Sequence, residues 1–252
     1  MILSIEKITK DFKGVRALES VDCTVQNGHI HGVIGPNGSG KTTLFNVITG
    51  ASPASYGRIF FQDREISRLP PYAIARLGIG RTFQRGFVAP TLTCLENVMC
   101  GAYSLTKPDI LGTFLRVPFT SSRQELRLKK RGRECLDFVG LGGFENRWAA
   151  DLVWVERQLL QMARALAADP KLMLLDEPTS GMGPDGSERV AQMVKRIVRM
   201  GITVILVSHD MNLVTGLADW ITVLNYGHKI SEGPPQEIRR DPAVLEAYLG
   251  RE

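Results

Sequence analysis

The sequence predicts an α/β fold, a mainly parallel sheet flanked by helices with an antiparallel N-terminal portion. Short β-rich runs alternate with stretches of helical periodicity along the chain. Glycine is abundant, 25 of 252 residues, while aromatics make up only 7%, which disfavours a sandwich built on aromatic pairs. One short β-rich run, Ile30–Ile34, passes through a glycine-rich turn straight into a helical pattern. With 44% apolar residues the chain is long enough for one or two compact domains and is not disordered.

Taken in order, the expected strands are Ser4–Ile8, Ser20–Val25, Ile30–Ile34, Arg58–Phe61, Lys171–Leu175, Thr203–Val207, Trp220–Leu224 and Lys229–Glu232. Helical spacing covers Thr42–Thr49, Ser121–Val139, Glu156–Ala168, Gly186–Arg199 and Met211–Ala218. Strand patterns fade between about Arg85 and Leu166, where Leu128, Cys135, Leu136 and Val139 recur at helical intervals, so this region reads as a helical insertion. Within it, Leu105–Pro118 is broken by Pro108, Gly112 and Pro118 and reads as an irregular or short-helical excursion. The basic run Arg127, Lys129, Lys130, Arg131 and Arg133, with Glu125 four residues before Lys129, reads as a solvated helix face. After Pro234-Pro235 the segment Gln236–Leu249 closes the chain with one or two helices.

The net charge of +5 points only weakly to anionic partners. Cys23, Cys94, Cys100 and Cys135 form no CxxC pair and have no zinc-type spacing, so reduced thiols and a cytosolic compartment are expected. The N-terminus meets Glu6 too early for a signal peptide, and no apolar run reaches eighteen residues. Any role at a membrane must then come from binding something that spans it.

Two motifs carry chemistry. Gly35-Pro36-Asn37-Gly38-Ser39-Gly40-Lys41-Thr42-Thr43 fits GxxxxGK[ST] between a strand and a helix. Gly38 and Gly40 let the backbone curl around a polyphosphate, the helix N-terminus and Lys41 supply positive charge, and Thr42 offers a hydroxyl to Mg²⁺. A metal-bound triphosphate also needs a carboxylate at the end of a neighbouring strand. Leu172-Met173-Leu174-Leu175-Asp176-Glu177 provides it, Asp176 for the metal and Glu177 as a general base toward water.

In this order the motifs resemble the nucleotide-binding subunit of an ABC transporter, over essentially the whole chain. The resemblance implies a P-loop NTPase core with an antiparallel β-subdomain (1–84 and 166–234), an inserted helical subdomain (85–165) and a C-terminal helical segment (235–252), a single ABC ATPase domain that binds and hydrolyses ATP with Mg²⁺. Phe12 resembles the aromatic that stacks on adenine, although plain core is an alternative. Gln84, in Arg81-Thr82-Phe83-Gln84, resembles the glutamine that touches Mg²⁺ or the lytic water and links the helical subdomain to the site. His209, in Val207-Ser208-His209-Asp210, resembles the histidine on the γ-phosphate.

The phrases Gly78-Ile79-Gly80-Arg81-Thr82-Phe83-Gln84, Thr93-Cys94-Leu95-Glu96-Asn97-Val98 and Gly181-Met182-Gly183-Pro184, and the ending Asp241–Gly250, are similar to those of branched-chain (hydrophobic) amino-acid importers. This implies transmembrane permease subunits, a periplasmic solute-binding protein as an indirect partner, and a peripheral position on the cytoplasmic face of the inner membrane. The set Phe87, Val88, Leu92, Leu111, Phe114, Leu115 and Phe119 is either a permease-docking surface or subdomain core. A soluble ABC ATPase acting on nucleic acid or ribosomes is disfavoured, since there is one cassette and no long heptad insertion; a weakly hydrolytic partner subunit is the other alternative.

The signature of such proteins, Leu-Ser-Gly-Gly-Gln, falls here on Leu152-Val153-Trp154-Val155-Glu156. Val153 lacks the serine hydroxyl and β-branched Val155 crowds a backbone approach that glycine permits. In a head-to-tail dimer this segment faces the ATP held by the partner, so a second, different ATPase subunit is expected: a heterodimer with one competent and one weakened site, whereas a homodimer would weaken both; the alternative is that Trp154 and the backbone amides at the helix start suffice and both sites turn over. Gly183 also departs from the usual aspartate.

Overall fold

The computed structural model describes residues 1–82, 88–102 and 118–249. In chain order its strands are β1 (Leu3–Phe12), β2 (Val15–Val25), β3 (Ile30–Ile34), β4 (Tyr56–Phe61), β5 (Arg64–Glu65), β6 (Ile79–Arg81), β7 (Leu172–Asp176), β8 (Thr203–Val207), β9 (Trp220–Asn225) and β10 (His228–Gly233). Its helices are α1 (Lys41–Ile48), α2 (Pro71–Arg76), α3 (Cys94–Ala102), α4 (Pro118–Phe138), α5 (Trp154–Ala167), α6 (Pro184–Arg199), α7 (Met211–Leu217), α8 (Pro235–Ile238) and α9 (Pro242–Leu249). Gln84 lies outside the described residues, as do Phe87, Leu111, Phe114, Leu115 and the side chain of Phe119.

Two sheets form, an antiparallel one in the order β2-β1-β4-β5 and a six-stranded one in the order β10-β9-β3-β8-β7-β6. The second is parallel from β9 to β6, with β10 antiparallel at its edge. Every residue of β3, β7 and β8 is buried, as expected of strands covered on both faces. Successive side chains serve opposite faces. Leu172 and Leu174 of β7, with Ile205 and Val207 of β8, join Ile5, Ile8, Phe45 and Phe61 in one core between the two sheets and α1. Met173 and Leu175, with Val204 and Leu206, join Leu160, Val194 and Ile197 in a second core beneath α5 and α6.

The helical insertion forms around α3, α4 and α5. Cys135, Leu136 and Val139 are buried and Leu128 packs against them. On the solvated face, Glu125 pairs with Lys129 at 2.6 Å, and Arg131 reaches the Leu166 carbonyl and Asp169. Helices α3 and α5 touch backbone to backbone at Gly101, where a Cβ would lie 1.9 Å from the Arg164 carbonyl oxygen.

Four elements lie outside the strands and helices expected from sequence: β5, β6, α2 and α3. Of these, β6 is three residues long with a glycine at its centre, too short and weak a signal alone; it is a strand because the edge of β7 offers it a ladder, Ile79 to Leu172 through Arg81 to Leu174.

Between the sheets, Cys23 Sγ sits 3.5 Å from both His31 Nε2 and Thr222 Oγ1, and those two are 2.9 Å apart. Burial pushes the Cys23 thiol up to about 12 and the His31 imidazole down to about 4. Glu232 approaches the same cluster, but Lys229 holds it at 2.6 Å. The thiol, imidazole and hydroxyl satisfy one another, so this is a polar seam joining β2 to β3 and β9. All four cysteines are free thiols, and among the described residues no helix is long and apolar enough to cross a membrane.

Candidate nucleotide site

The loop between β3 and α1 is shaped by glycine. Gly38 and Gly40 have φ of +80° and +105°, in the left-handed region that side chains avoid. At Gly40 a Cβ would also meet the Ala17 carbonyl oxygen at 2.7 Å. The turn delivers Lys41 as the first residue of α1, whose first turn contains no acid to oppose an anion. The Lys41 ammonium donates to the carbonyls of Gly35 and Pro36 at 2.7 and 2.9 Å. Burial lowers its affinity for the proton, and the nearby Glu177 and Asp176 carboxylates act in the opposite sense. Thr42 and Asn37 are exposed, Thr43 is half-buried, and Ser39 is buried.

Parallel pairing sets the C-terminal ends of β3, β8 and β7 side by side, which is where this sheet class gathers its ligands. At the end of β7, Asp176 is 2% exposed; Oδ2 accepts from Arg81 at 2.9 Å and Oδ1 has no partner among the described residues. Glu177 follows with φ of +49°, an uncommon conformation for a residue with a side chain. Its amide donates to the Val207 carbonyl, and its carboxylate lies 2.8 Å from His209 Nδ1, just beyond β8.

Buried oxygens without partners are costly unless a ligand meets them. Asp176 Oδ1 and Ser39 Oγ are two such atoms. With the glycine cradle, the ammonium and the hard oxygen donors of Thr42 and Asp176, they fit a magnesium-bound triphosphate.

Phe12 stands at the tip of the β1–β2 hairpin, 44% exposed, with the Lys10 ammonium 4.7 Å from its ring, so it is not core. The signature-like segment opens α5. Val153, at the N-cap, is 60% exposed, and its amide donates to Glu156 Oε2 at 3.0 Å; Glu156 also lies 3.6 Å from Arg147. Trp154 Nε1 donates to the Ser180 carbonyl at 2.9 Å, tying this segment to the loop after Glu177. Val155 is half-buried. Neither the Arg81–Asp176 pair nor the Trp154–Ser180 bond was visible in sequence, because each joins residues far apart in the chain; the one hint was an arginine closing a short Gly-Ile-Gly run.

The family model described as "ABC transporter" matches residues 18–180, and one described as "Branched-chain amino acid ATP-binding cassette transporter" matches residues 228–252. The high-affinity branched-chain amino acid transport ATP-binding protein LivG of Salmonella typhimurium is 33% identical over 250 residues, covering 99% of this chain and 98% of that one. The ADP conformation of the cassette MJ1267, from an ABC transporter, is 30% identical with a TM-score of 0.84, covering 99% of both chains. A dimeric post-hydrolysis cassette, MJ0796 bound to ADP and Pi, is 26% identical with a TM-score of 0.78, covering 93% of this chain and 99% of that one. The chain therefore belongs to the ABC transporter family, as an ATP-binding subunit whose cassette hydrolyses ATP with Mg²⁺.

Proposed function

We propose that this chain powers the import of branched-chain or other hydrophobic amino acids, or related amides. It would sit peripherally on the cytoplasmic face of the membrane against permease subunits, with a periplasmic solute-binding protein as an indirect partner and no nucleic-acid partner. The match of residues 228–252 and the full-length likeness to LivG support the solute class.

The convergence of Lys41 after β3, His209 after β8, and Asp176 and Glu177 at the end of β7, three adjoining strand ends, is the observation that carries the site reading. Lys41, the loop residues Gly35, Asn37, Gly38, Gly40, Thr42 and Thr43, and the Ser39 hydroxyl hold the phosphates, and Phe12 stacks on the adenine. Thr42, Asp176 and Gln84 hold Mg²⁺, which when bound neutralises phosphate charge. Glu177 takes the proton from the attacking water. His209 fixes the Glu177 carboxylate and reaches toward the γ-phosphate.

The division into a core (1–84 and 166–234), a helical subdomain (85–165) and a C-terminal segment (235–252) belongs to the same reading. Closure on ATP moves the helical subdomain and, with it, the permease. A groove of about 620 Å³ between α3 and α4, lined by Leu92, Met99, Cys100 and Leu128 among others, suits a permease loop.

The signature segment supports an asymmetric pair. Val153 has no hydroxyl to give, and its amide is already taken by Glu156. Loss of one preorganised donor costs about 2.7 to 4 kcal/mol of transition-state stabilisation. In a heterodimer the ATP on Lys41 is completed by the partner, while the partner's ATP meets Val153–Glu156. The test is ATPase activity of the reconstituted complex with Glu177→Gln in this chain or the equivalent change in the partner. Loss mainly from the change in this chain supports the asymmetric pair; equal loss from either overturns it.

A further inference from the structure

Arg81 closes β6 with a side chain only 8% exposed. Its Nη2 donates to Asp176 Oδ2 at 2.9 Å, and its Nη1 donates to Asn46 Oδ1 at 2.7 Å and to Thr49 Oγ1 at 3.3 Å. The guanidinium also lies 5.6 Å from the centroid of the Phe45 ring. Asn46 and Thr49 follow Thr42 by four and seven residues, so all three share one face of the α1 turn sequence. One planar fork thus ties the helix face that begins with the Thr42 hydroxyl to the carboxylate at the end of β7.

We propose that Arg81 is a positioning residue of the magnesium site. By occupying Asp176 Oδ2 it leaves Oδ1 as the oxygen available to the metal's shell, and by holding Asn46 it fixes how far Asp176 stands from Thr42. An arginine suits this task because its two nitrogens engage acceptors on two different elements at once, which a single ammonium cannot reproduce in the same geometry. Partners that orient a metal's ligands are worth about 10- to 100-fold in metal affinity. The inference rests on the reading of Thr42 and Asp176 as magnesium-side groups.

The test measures binding of an ADP carrying a fluorescent ribose tag to the full chain, in EDTA and across a Mg²⁺ series, with no turnover required. Arg81→Lys keeps the charge and loses the fork; Asn46→Ala keeps the Arg81–Asp176 pair and frees the helix; Asp176→Asn is the control. In EDTA both test variants are expected to match the parent, while the half-saturating Mg²⁺ concentration rises about tenfold in Arg81→Lys and less, in the same direction, in Asn46→Ala. Asp176→Asn is expected to abolish the Mg²⁺ dependence. Parent-like Mg²⁺ dependence in Arg81→Lys, or an equal loss with and without Mg²⁺, overturns the positioning role while leaving Asp176 as a magnesium group. Parent-like dependence in Asp176→Asn overturns the site reading itself.

Discussion

His209 Nδ1 lies 2.8 Å from Glu177 Oε2, joining the residue just beyond β8 to the residue just beyond β7. Glu177 is 6% exposed at its side chain and His209 54%, so a sheltered carboxylate is held by a ring open to whatever enters from outside. With its backbone at φ of +49° and its amide on Val207, Glu177 has little freedom to turn elsewhere.

From that relationship, Glu177→Gln is expected to retain ATP binding and lower turnover by about 10²- to 10⁴-fold. His209→Ala is expected to lower turnover by a smaller factor, because the carboxylate remains but is less firmly held. Steady-state ATPase assays beside nucleotide-binding titrations check both. Unchanged turnover in Glu177→Gln would assign the base elsewhere.

Trp154 links the start of α5 to the loop after the acid pair by one hydrogen bond to a carbonyl, on a side chain 37% exposed. Trp154→Phe keeps the ring and removes the donor. Stability is expected to fall by only about 1 kcal/mol, whereas solute-stimulated ATPase in the complete transporter falls relative to the basal rate. A parent-like ratio of stimulated to basal activity would make the bond merely structural.

Gly101 lets α3 and α5 meet with no side chain between them, since a Cβ would lie 1.9 Å from the Arg164 carbonyl. Gly101→Ala is expected to cost about 1 to 3 kcal/mol by forcing the helices apart. Cys94 reports the change. Its thiol is fully buried, and burial pushes it up to about 11, so it resists alkylation in the parent and reacts faster in the variant. Mass spectrometry after timed alkylation reads this directly, and an unchanged Cys94 rate would show that the helices absorb the methyl.

Burial holds the His31 imidazole down to about 4, against its ordinary 6.5. Between those values the unfolded chain takes up a proton that the folded chain refuses. Stability from this group is therefore complete above pH 6.5 and is lost as the pH falls, by about 2 kcal/mol from pH 6.5 to 5. Urea midpoints for the parent and His31→Gln across this range check it. The variant is expected to show the flatter dependence; parallel curves would assign the slope to other groups.

Much of the fold was legible because local signals were strong. Ile30–Ile34 and Thr203–Val207 are short runs rich in β-branched residues and bounded by turns, and both form strands over those same residues. The glycine loop and the Asp176-Glu177 pair were legible because the chemistry lies in contiguous residues. What sequence did not show depends on tertiary contact. Ile79–Arg81 is a strand only because β7 offers it an edge, and Cys94–Ala102 is a helix whose Gly101 is explained only by Arg164 across from it. From sequence Glu156 is only an acid in the first turn of a helix. The structure shows that it turns back to accept from the Val153 amide and sits near Arg147.

In the proposed function Lys41, Thr42, Asp176 and Glu177 form one site for magnesium and ATP. Calorimetric titration of ATP into the purified full chain, with Mg²⁺ and with EDTA, tests it most directly. One ATP per chain is expected, with binding tightened by Mg²⁺ in the parent, lost in Lys41→Ala and made independent of Mg²⁺ in Asp176→Asn. No uptake by the parent, or Mg²⁺-tightened binding that survives both substitutions, would contradict it.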